Sequence, residues 1–467
     1  VNALGVINLF VYIGLAPLAF AFLRKPRYVM LIVAGGWLTL SPRAGMSISG
    51  LPELTKDFAV SYGLTLGLLL FRSELLQRYR FHALDLFAML WLIAPAISSL
   101  SNGLGAWDAA SEFYGQVFRW GMPYFVGRVL IGSLDDVREC AIGILLAGLV
   151  AAPLCLIEIR LSPQLHRWTY GVHQAPFHMT ARLGGYRPML MFRHGIEVGS
   201  WMACATAIAA WFAFTGPTRR LLSVPQIAIA AGMFVVSLMC RSLGALALLF
   251  GTMAAATVFR TSRIKVALVA LILLSPVYIG ARVTGAWSPE VVADFVESNI
   301  DAKRAHSLRG RIIQEQELGD HAGDRPFFGW GGHNRFRVFD DQGEATTAVD
   351  ALWLLAYGKN GITGLIGLYG MLCLPSLLIV LRTPPRLLVH ANMAGAMGIV
   401  LALTISTLDS LQNAFFSPLL MIGAGALGTT AISLKRWLPT PNRPHTVTRS
   451  NNDPRGLNRA DPQPETV

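Results

Sequence analysis

The chain has 467 residues, a mean hydropathy of +0.49 and only 14% charged residues, against roughly 25% for a soluble domain. Apolar runs of about 17–20 residues, the length that crosses a bilayer as a helix, recur along it; this excludes a soluble enzyme, and the lack of short alternating segments excludes a β-barrel. The net charge of +12 belongs first to loops at a membrane surface, and no nucleic-acid-binding motif accompanies it, so the expected partner is the lipid bilayer and no nucleic acid is expected.

In chain order the apolar segments fall at about 4–23, 29–40, 58–71, 84–100, 114–131, 140–159, 198–214, 223–239, 242–259, 264–281, 350–381, 391–407 and 416–434. The expected fold is all-α: a polytopic transmembrane helix bundle of about 12–13 spans occupying 1–437. The second and third segments are short enough to be either weak spans or one re-entrant hairpin, and either choice leaves the parity of the later ones unchanged. The first segment lacks a preceding basic region and a small-residue cleavage site, so it is expected to be retained. Residues from about 438 to 467 are polar and rich in Pro, Asn, Arg and Thr, the composition of a disordered tail.

Charge sets an expected sidedness. With the N-terminus outside, the short inner loops carry Arg24, Lys25, Arg27, Arg72, Arg78, Arg80, Arg138, Arg219, Arg220, Arg260, Arg263, Arg382 and Arg386, and the short outer loops only Arg43, Lys56 and Arg241. That is the positive-inside pattern, and it puts the tail in the cytoplasm. Two long loops, about 160–197 and 282–349, then lie outside and are expected to contain short helices. The first holds Arg160, Arg167, Arg182, Arg187 and Arg193 with His166, His173, His178 and His194, and Glu197 is its acid. These histidines lack the i, i+4 spacing of metal ligands, and the five cysteines form no CxxC pair, so no metal site is expected.

Four constellations carry candidate chemistry. Arg241, with Ser242, lies between two apolar runs at the outer headgroup level, where a guanidinium either grips a phosphate or snorkels and caps a helix end. Ser307 to Arg311 holds Arg309 and Arg311 ahead of an amphipathic stretch from Ile312 to His321, and a turn, Arg325-Pro-Phe-Phe-Gly-Trp-Gly-Gly332, follows. A helix there would offer its first amides to the same anion, and an ordinary surface helix is the plainer reading. Asp350 opens the apolar segment that runs to Gly361 and Gly364, either as a helix cap or as a general base. Arg119 and Arg128 sit nine residues apart in one span, about half a turn out of phase, and so are not expected to face one site.

In order and spacing these pieces resemble the O-antigen ligase and O-antigen polymerase superfamily of bacterial envelope glycosyltransferases. The likeness covers about 190–380: a span ending in Cys240-Arg241-Ser242, the Ser307 to Arg311 element, the Pro326, Gly329, Gly331 turn, and the Gly361, Gly364 step. The resemblance implies a multi-pass protein of the bacterial inner (cytoplasmic) membrane that moves a glycan from an undecaprenyl-pyrophosphate carrier to a sugar hydroxyl at the outer face. It implies no cofactor, the lipid-linked glycan as donor substrate, and a polysaccharide assembly machinery as partner. Arg241 with Arg309 and Arg311 would hold the pyrophosphate, and Arg187 and Arg193 of the first long loop would add to the field.

Ligases of the family place a His-Asn pair at the start of the helix with the Gly step, with the His as base. Here that position, eleven residues before Gly361, is Asp350, and the pair His333-Asn334 comes seventeen residues earlier. Three readings stay open: Asp350 is the base, His333 reaches the site from a rearranged loop, or transfer chemistry has been lost. The substitution leans toward a polymerase-like member. The alternatives from other classes are a transporter or flippase of lipid-linked or anionic solutes, and a non-catalytic subunit of a polysaccharide assembly complex.

Overall fold

The computed structural model describes residues 3–47, 52–216, 219–299, 302–347, 350–415 and 417–437. The expected tail at 438–467 lies outside them. The chain is all-α and polytopic. Its helices are α1 Ala3–Phe22, α2 Pro26–Thr39, α3 Lys56–Phe71, α4 Asp85–Ser101, α5 Ala106–Gln116, α6 Met122–Leu130, α7 Leu134–Leu161, α8 Leu165–Tyr170 and α9 Gly195–Thr215. They continue as α10 Gln226–Met239, α11 Leu243–Ser262, α12 Val266–Val283, α13 Glu290–Asn299, α14 Ala302–Gly323, α15 Leu352–Arg382, α16 Pro385–Leu388, α17 Ala394–Asp409 and α18 Pro418–Trp437. Among the described residues, α1, α7, α9, α11, α12, α15, α18 and the helix ending at Asp409 are each long and apolar enough to cross a membrane, and α4 and α10 are shorter apolar helices. A π turn, Val117–Gly121, joins α5 to α6. The polar α5 escapes a hydropathy reading, which is why the expected segment began only at residue 114. The two long loops do hold short helices, α8 in the first and α13 and α14 in the second.

Loops gather at two ends of the bundle. At one end, here called the loop face, Arg43 donates to the His173 carbonyl (2.7 Å), Asn102 to that of Gly329 (2.9 Å), and the Leu352 N–H to that of Ser410 (3.0 Å). At the opposite end Arg72 reaches the Arg24 carbonyl (3.2 Å) and Lys265 that of Leu381 (2.9 Å).

That opposite end is pinned by a buried ion pair. Arg128 Nε and Nη2 donate to the two carboxylate oxygens of Asp85 at 2.8 and 2.9 Å, Nη2 also meets the Arg80 carbonyl, and Nη1 meets Thr429 Oγ1 at 2.7 Å. A buried pair holds only when its remaining donors and acceptors are met, and here they are, with Tyr124 donating to the same carboxylate. The pair joins α4, α6 and α18. Small residues let the last two approach: a Cβ on Gly425 would stand 2.0 Å from the Tyr124 carbonyl oxygen, and one on Gly127 2.1 Å from that of Ile422.

The loop face is pinned differently, by polar groups that satisfy backbone. Glu158, near the end of α7, accepts N–H bonds from Met189 and Leu190 (both 2.7 Å) and Leu165 (3.1 Å), so this intramembrane acid anchors the first long loop. Lys56 is buried and donates to the Trp37 and Met191 carbonyls, both at 2.7 Å, tying α2, α3 and that loop together.

The second long loop is held by an interruption in α15. Gly361 adopts φ +62°, ψ −161°, so the helix stops and restarts there. In an unbroken helix the Ile362 and Thr363 N–H groups would donate to the carbonyls of 358 and 359. Instead they donate to Pro326 (2.7 Å) and Phe327 (3.2 Å), and the freed Gly358 and Lys359 carbonyls accept from Trp330 (2.8 Å) and Gly331 (3.0 Å). Only glycine fits this junction: a Cβ on Gly361 would lie 2.4 Å from the Phe327 carbonyl carbon, and one on Gly329 2.4 Å from that of Lys359. The Pro326–Gly331 turn and the Gly361 step, separate in the sequence, are thus one structural unit.

Two variants test these joints. Gly425→Val should destabilise the fold through overpacking by roughly 1–3 kcal/mol or more, read as a lowered thermal unfolding midpoint in detergent. Gly361→Ala should release the turn, since left-handed backbone and steric overlap act together, costing about 1–3 kcal/mol; protease cleavage within 324–347 that matches wild type would count against this account of the break.

Candidate functional site

A cavity of about 370 Å³ opens at the loop face beneath the docked turn, walled by α3, α4, α5 and the first half of α15. Its cations come from three elements. Arg119 rises from the π turn after α5, Arg193 from the loop just ahead of α9, and Lys359 from the last turn of α15 before the break. Arg193 Nη2 lies 3.0 Å and Arg119 Nε 3.3 Å from the same oxygen of Asp57, which is only 5% exposed while the two arginine side chains are 61% and 42% exposed. Two guanidiniums on one buried carboxylate leave donors directed at the open side, a local seat for an anion, although over the whole lining Arg119, Arg193 and Lys359 are matched in number by Asp57, Glu53 and Glu112.

Acids line the same space from α5 and the segment just ahead of α3: Glu112 and Glu53. Asp108 and Glu112, four residues apart, share one face of α5, and Glu112 and Arg119 of the following π turn line the same cavity. His333 sits over this row. Its Nε2 is 2.7 Å from Asp108 Oδ1, and a Cβ on the adjacent Gly332 would lie 2.6 Å from Glu112 Oε1. His333 and Asn334 both have left-handed backbone, φ +56° and +61°, which non-glycine residues seldom adopt.

The other residues expected from the sequence gather elsewhere or stand apart. Arg241 takes φ +54° just after α10, and its guanidinium donates to the carbonyls of Arg182, at 2.8 Å, and Leu183 in the β-hairpin formed by Ala181–Arg182 and Gly185–Tyr186. Its backbone N–H closes α10 on the Leu238 carbonyl (3.2 Å), while its side chain neither caps that helix nor stands free; it clasps the hairpin. Arg187 is buried beside it, donates to the Arg241 carbonyl (3.0 Å) and lays its stem over Gly195 at the start of α9. Burial first, then the nearby Arg182, push the Arg187 pKa down. His194 caps α9, accepting from the Ile196 N–H, and burial first, then Arg187, push its pKa down although Asp350 acts in the opposite sense. Arg193 and His194 therefore send neighbouring side chains to two sides of the α9 start, one into the cavity and one to the Arg187–Arg241 cluster.

Two expectations need correction. Arg309 and Arg311 do not precede a helix N-terminus, because α14 already begins at Ala302: the Ala-Lys-Arg-Ala stretch favours helix and no proline or glycine stops it before Gly310. Arg309 pairs with Asp294 and Glu297 of α13, both at 2.6 Å, and is not brought to the cavity; the side chain of Arg311 lies outside the described residues. Asp350 does not cap α15 either. The cap position is Ala351, and the Leu352 N–H is taken by the Ser410 carbonyl, so the carboxylate is left exposed. As expected, Arg119 and Arg128 do not share a site: one faces the cavity and the other the Asp85 pair at the opposite end.

Sequence reading missed Asp57, Lys359 and Glu112. For Glu112 the signal was the charge pattern of 108–119, hidden because those residues straddled the start of the apolar segment at 114. No protein-family model matches the chain, and a search of curated proteins returns no significant relative.

The histidines of the first long loop set a pH limit. His166 is fully buried, 2.8 Å from Ser41 Oγ and 2.6 Å from the Val172 carbonyl, and burial, then Arg43, Lys56 and His173, lower its pKa despite that carbonyl. With His194 lowered as well, the unfolded loop binds more protons than the folded one once pH falls below about 6.5. Stability should therefore be fully present above that value and decline as pH drops toward the lowered folded pKa, and His166→Gln should flatten the dependence in melts between pH 7.5 and 5.

Proposed function

We propose that this protein is a glycosyltransferase of the O-antigen polymerase and ligase kind, acting in a bacterial inner membrane on an undecaprenyl-pyrophosphate-linked glycan. The observation that carries the reading is the pair of exposed guanidiniums on one buried carboxylate, Arg119 and Arg193 on Asp57, inside a loop-face cavity. The motif-bearing turn and the Gly361 step join directly beside that cavity, which supports treating them as parts of one site. The arginine-rich short loops at the other end support taking that end as cytoplasmic and the cavity as outer-facing, where lipid-linked donors present their phosphates.

In this reading the acceptor hydroxyl oxygen attacks the anomeric carbon of the donor sugar. The new C–O glycosidic bond forms as the bond from that carbon to the pyrophosphate oxygen breaks, and undecaprenyl pyrophosphate departs. Arg119, Arg193 and Lys359 neutralise the charge that builds on the leaving oxygen, the interaction that most lowers such a barrier. The hydroxyl proton passes to Glu112, a carboxylate lining the same cavity as Arg119. His333, oriented by Asp108, stands at the mouth beside it and offers a path for that proton to solvent. Arg187, Arg241 and Arg182 add positive field from beyond the α9 start. Asp350 stands on that second side, toward His194, which makes it the less favoured proton acceptor.

A carrier of lipid-linked or anionic solutes is the second reading, drawn from the break in α15, since interrupted helices mark solute sites in transporters. Here the backbone groups freed at the break are already taken by the turn, which leaves the junction with little to offer a solute.

Glycan chain-length profiles in a deletion strain complemented with variants test the proposal. Arg119→Ala and Arg193→Ala should each reduce transfer by about 10²–10³ at unchanged membrane levels. Glu112→Gln should reduce it by about 10²–10⁴ and Asp350→Asn far less; the reverse order would move the proton acceptor to Asp350, and wild-type profiles in both arginine variants would end the glycosyltransferase reading.

A further inference from the structure

A second chamber lies apart from the cavity, between the ends of α12, α14 and the start of α15, with a volume of about 760 Å³. Below it an apolar groove of about 480 Å³ runs between α12 and α15. Val283 and Thr284 line both, so the two spaces adjoin. Each falls in the roughly 300–1,000 Å³ range of pockets that hold ligands.

The chemistry of the two parts differs sharply. The groove is walled by side chains such as Leu273, Ile279, Ile366 and Leu374, and Gly280 opens it, with nothing within 4 Å of where a Cβ would stand. The chamber has an aromatic wall: Tyr278 lies edge-on to both Trp287, 5.7 Å away, and Trp353, 6.2 Å away, and Tyr357 lines the same space. Trp353 is only 2% exposed, and its indole N–H finds no acceptor among the described residues. A buried donor of this kind is costly unless something fills the role.

Charge then selects the occupant. Arg282 is neutralised by Glu315 at 2.6 Å, and Glu315 also accepts from the Tyr278 hydroxyl at 2.9 Å. That leaves Glu290 and Asp320 as the net charges of the chamber, which repel a phosphate and accept hydroxyl protons. The partly exposed Trp287 ring and the carboxylate acceptors suit a neutral saccharide, and the adjoining groove suits an apolar chain attached to it.

We propose that this groove and chamber form a binding site for a neutral, lipid-linked saccharide, distinct from the arginine-lined cavity, with the lipid chain between α12 and α15 and the sugar against Trp287. As the seat of the acceptor glycan it rests on the transfer reading above; as a binding site it stands without it.

The test uses the full-length protein in phosphatidylcholine nanodiscs and a farnesyl glucoside carrying a photoreactive diazirine. Wild type should crosslink within α12, α14 and α15. Trp287→Ala, Asp320→Asn and Gly280→Phe should each weaken labelling at least tenfold, and Arg119→Ala with Arg193→Ala should leave it unchanged. Farnesyl pyrophosphate should compete poorly. Wild-type labelling in all three chamber variants overturns the proposal, as does loss of labelling in the arginine variant or efficient competition by farnesyl pyrophosphate. Chain-length profiles of the arginine variants report separately on the transfer reading, so either idea can fail while the other holds.

Discussion

Four backbone hydrogen bonds exchanged across the break at Gly361 govern the loop face of this protein. A helix interrupted in the membrane exposes two carbonyls and two N–H groups that lipid cannot satisfy. The Pro326–Gly331 turn supplies a partner for each, so turn and helix fix one another. Everything near the cavity inherits that fixity. Lys359 is aimed by the last turn before the break, and Ser98 and Asn102 of the neighbouring α4 region donate to the Lys359 and Gly329 carbonyls at 2.7 and 2.9 Å. His333 is carried by the residues that immediately follow the turn. Glycine at 329 and 361 is therefore a geometric requirement of the site rather than a sign of looseness.

The two faces are held by different physics. At the arginine-rich end, Arg128 and Asp85 meet each other, and Thr429 and the Arg80 carbonyl take the remaining guanidinium donors, a closed network. At the loop face, Arg119 and Arg193 crowd one carboxylate and leave donors facing an open cavity. Intramembrane charge alone would not separate these cases. What separates them is whether the partners use up the donors.

Much of the bundle was legible in the sequence because apolar run length and loop charge are strong, local signals. The order of the turn and the glycine step was legible too, although their mutual docking was not, since hydrogen bonds between residues 326–331 and 358–363 leave no periodic trace. Asp57 escaped notice because it opens a short apolar run beside Lys56, which had been assigned to a loop. Arg241 drew attention as a costly charge, yet its guanidinium is occupied by hairpin carbonyls, a contact that depends on how 181–186 folds back. Arg309 and Asp350 were misplaced for the same reason: helix starts shift by several residues, and a cap or anion site moves with them.

The Asp85–Arg128 network also bears on how the chain is assembled in the membrane. Asp85 and Arg128 emerge early in synthesis, whereas Thr429, which completes the guanidinium's partners, and Gly425, which lets α18 seat against α6, belong to the last described helix. Until α18 enters, α4 and α6 carry an incompletely shielded charge pair next to lipid. The segment that carries α4 and α6 therefore does not reach its described packing as a separate unit, and the entry of α18 joins side chains 301 residues apart in the sequence.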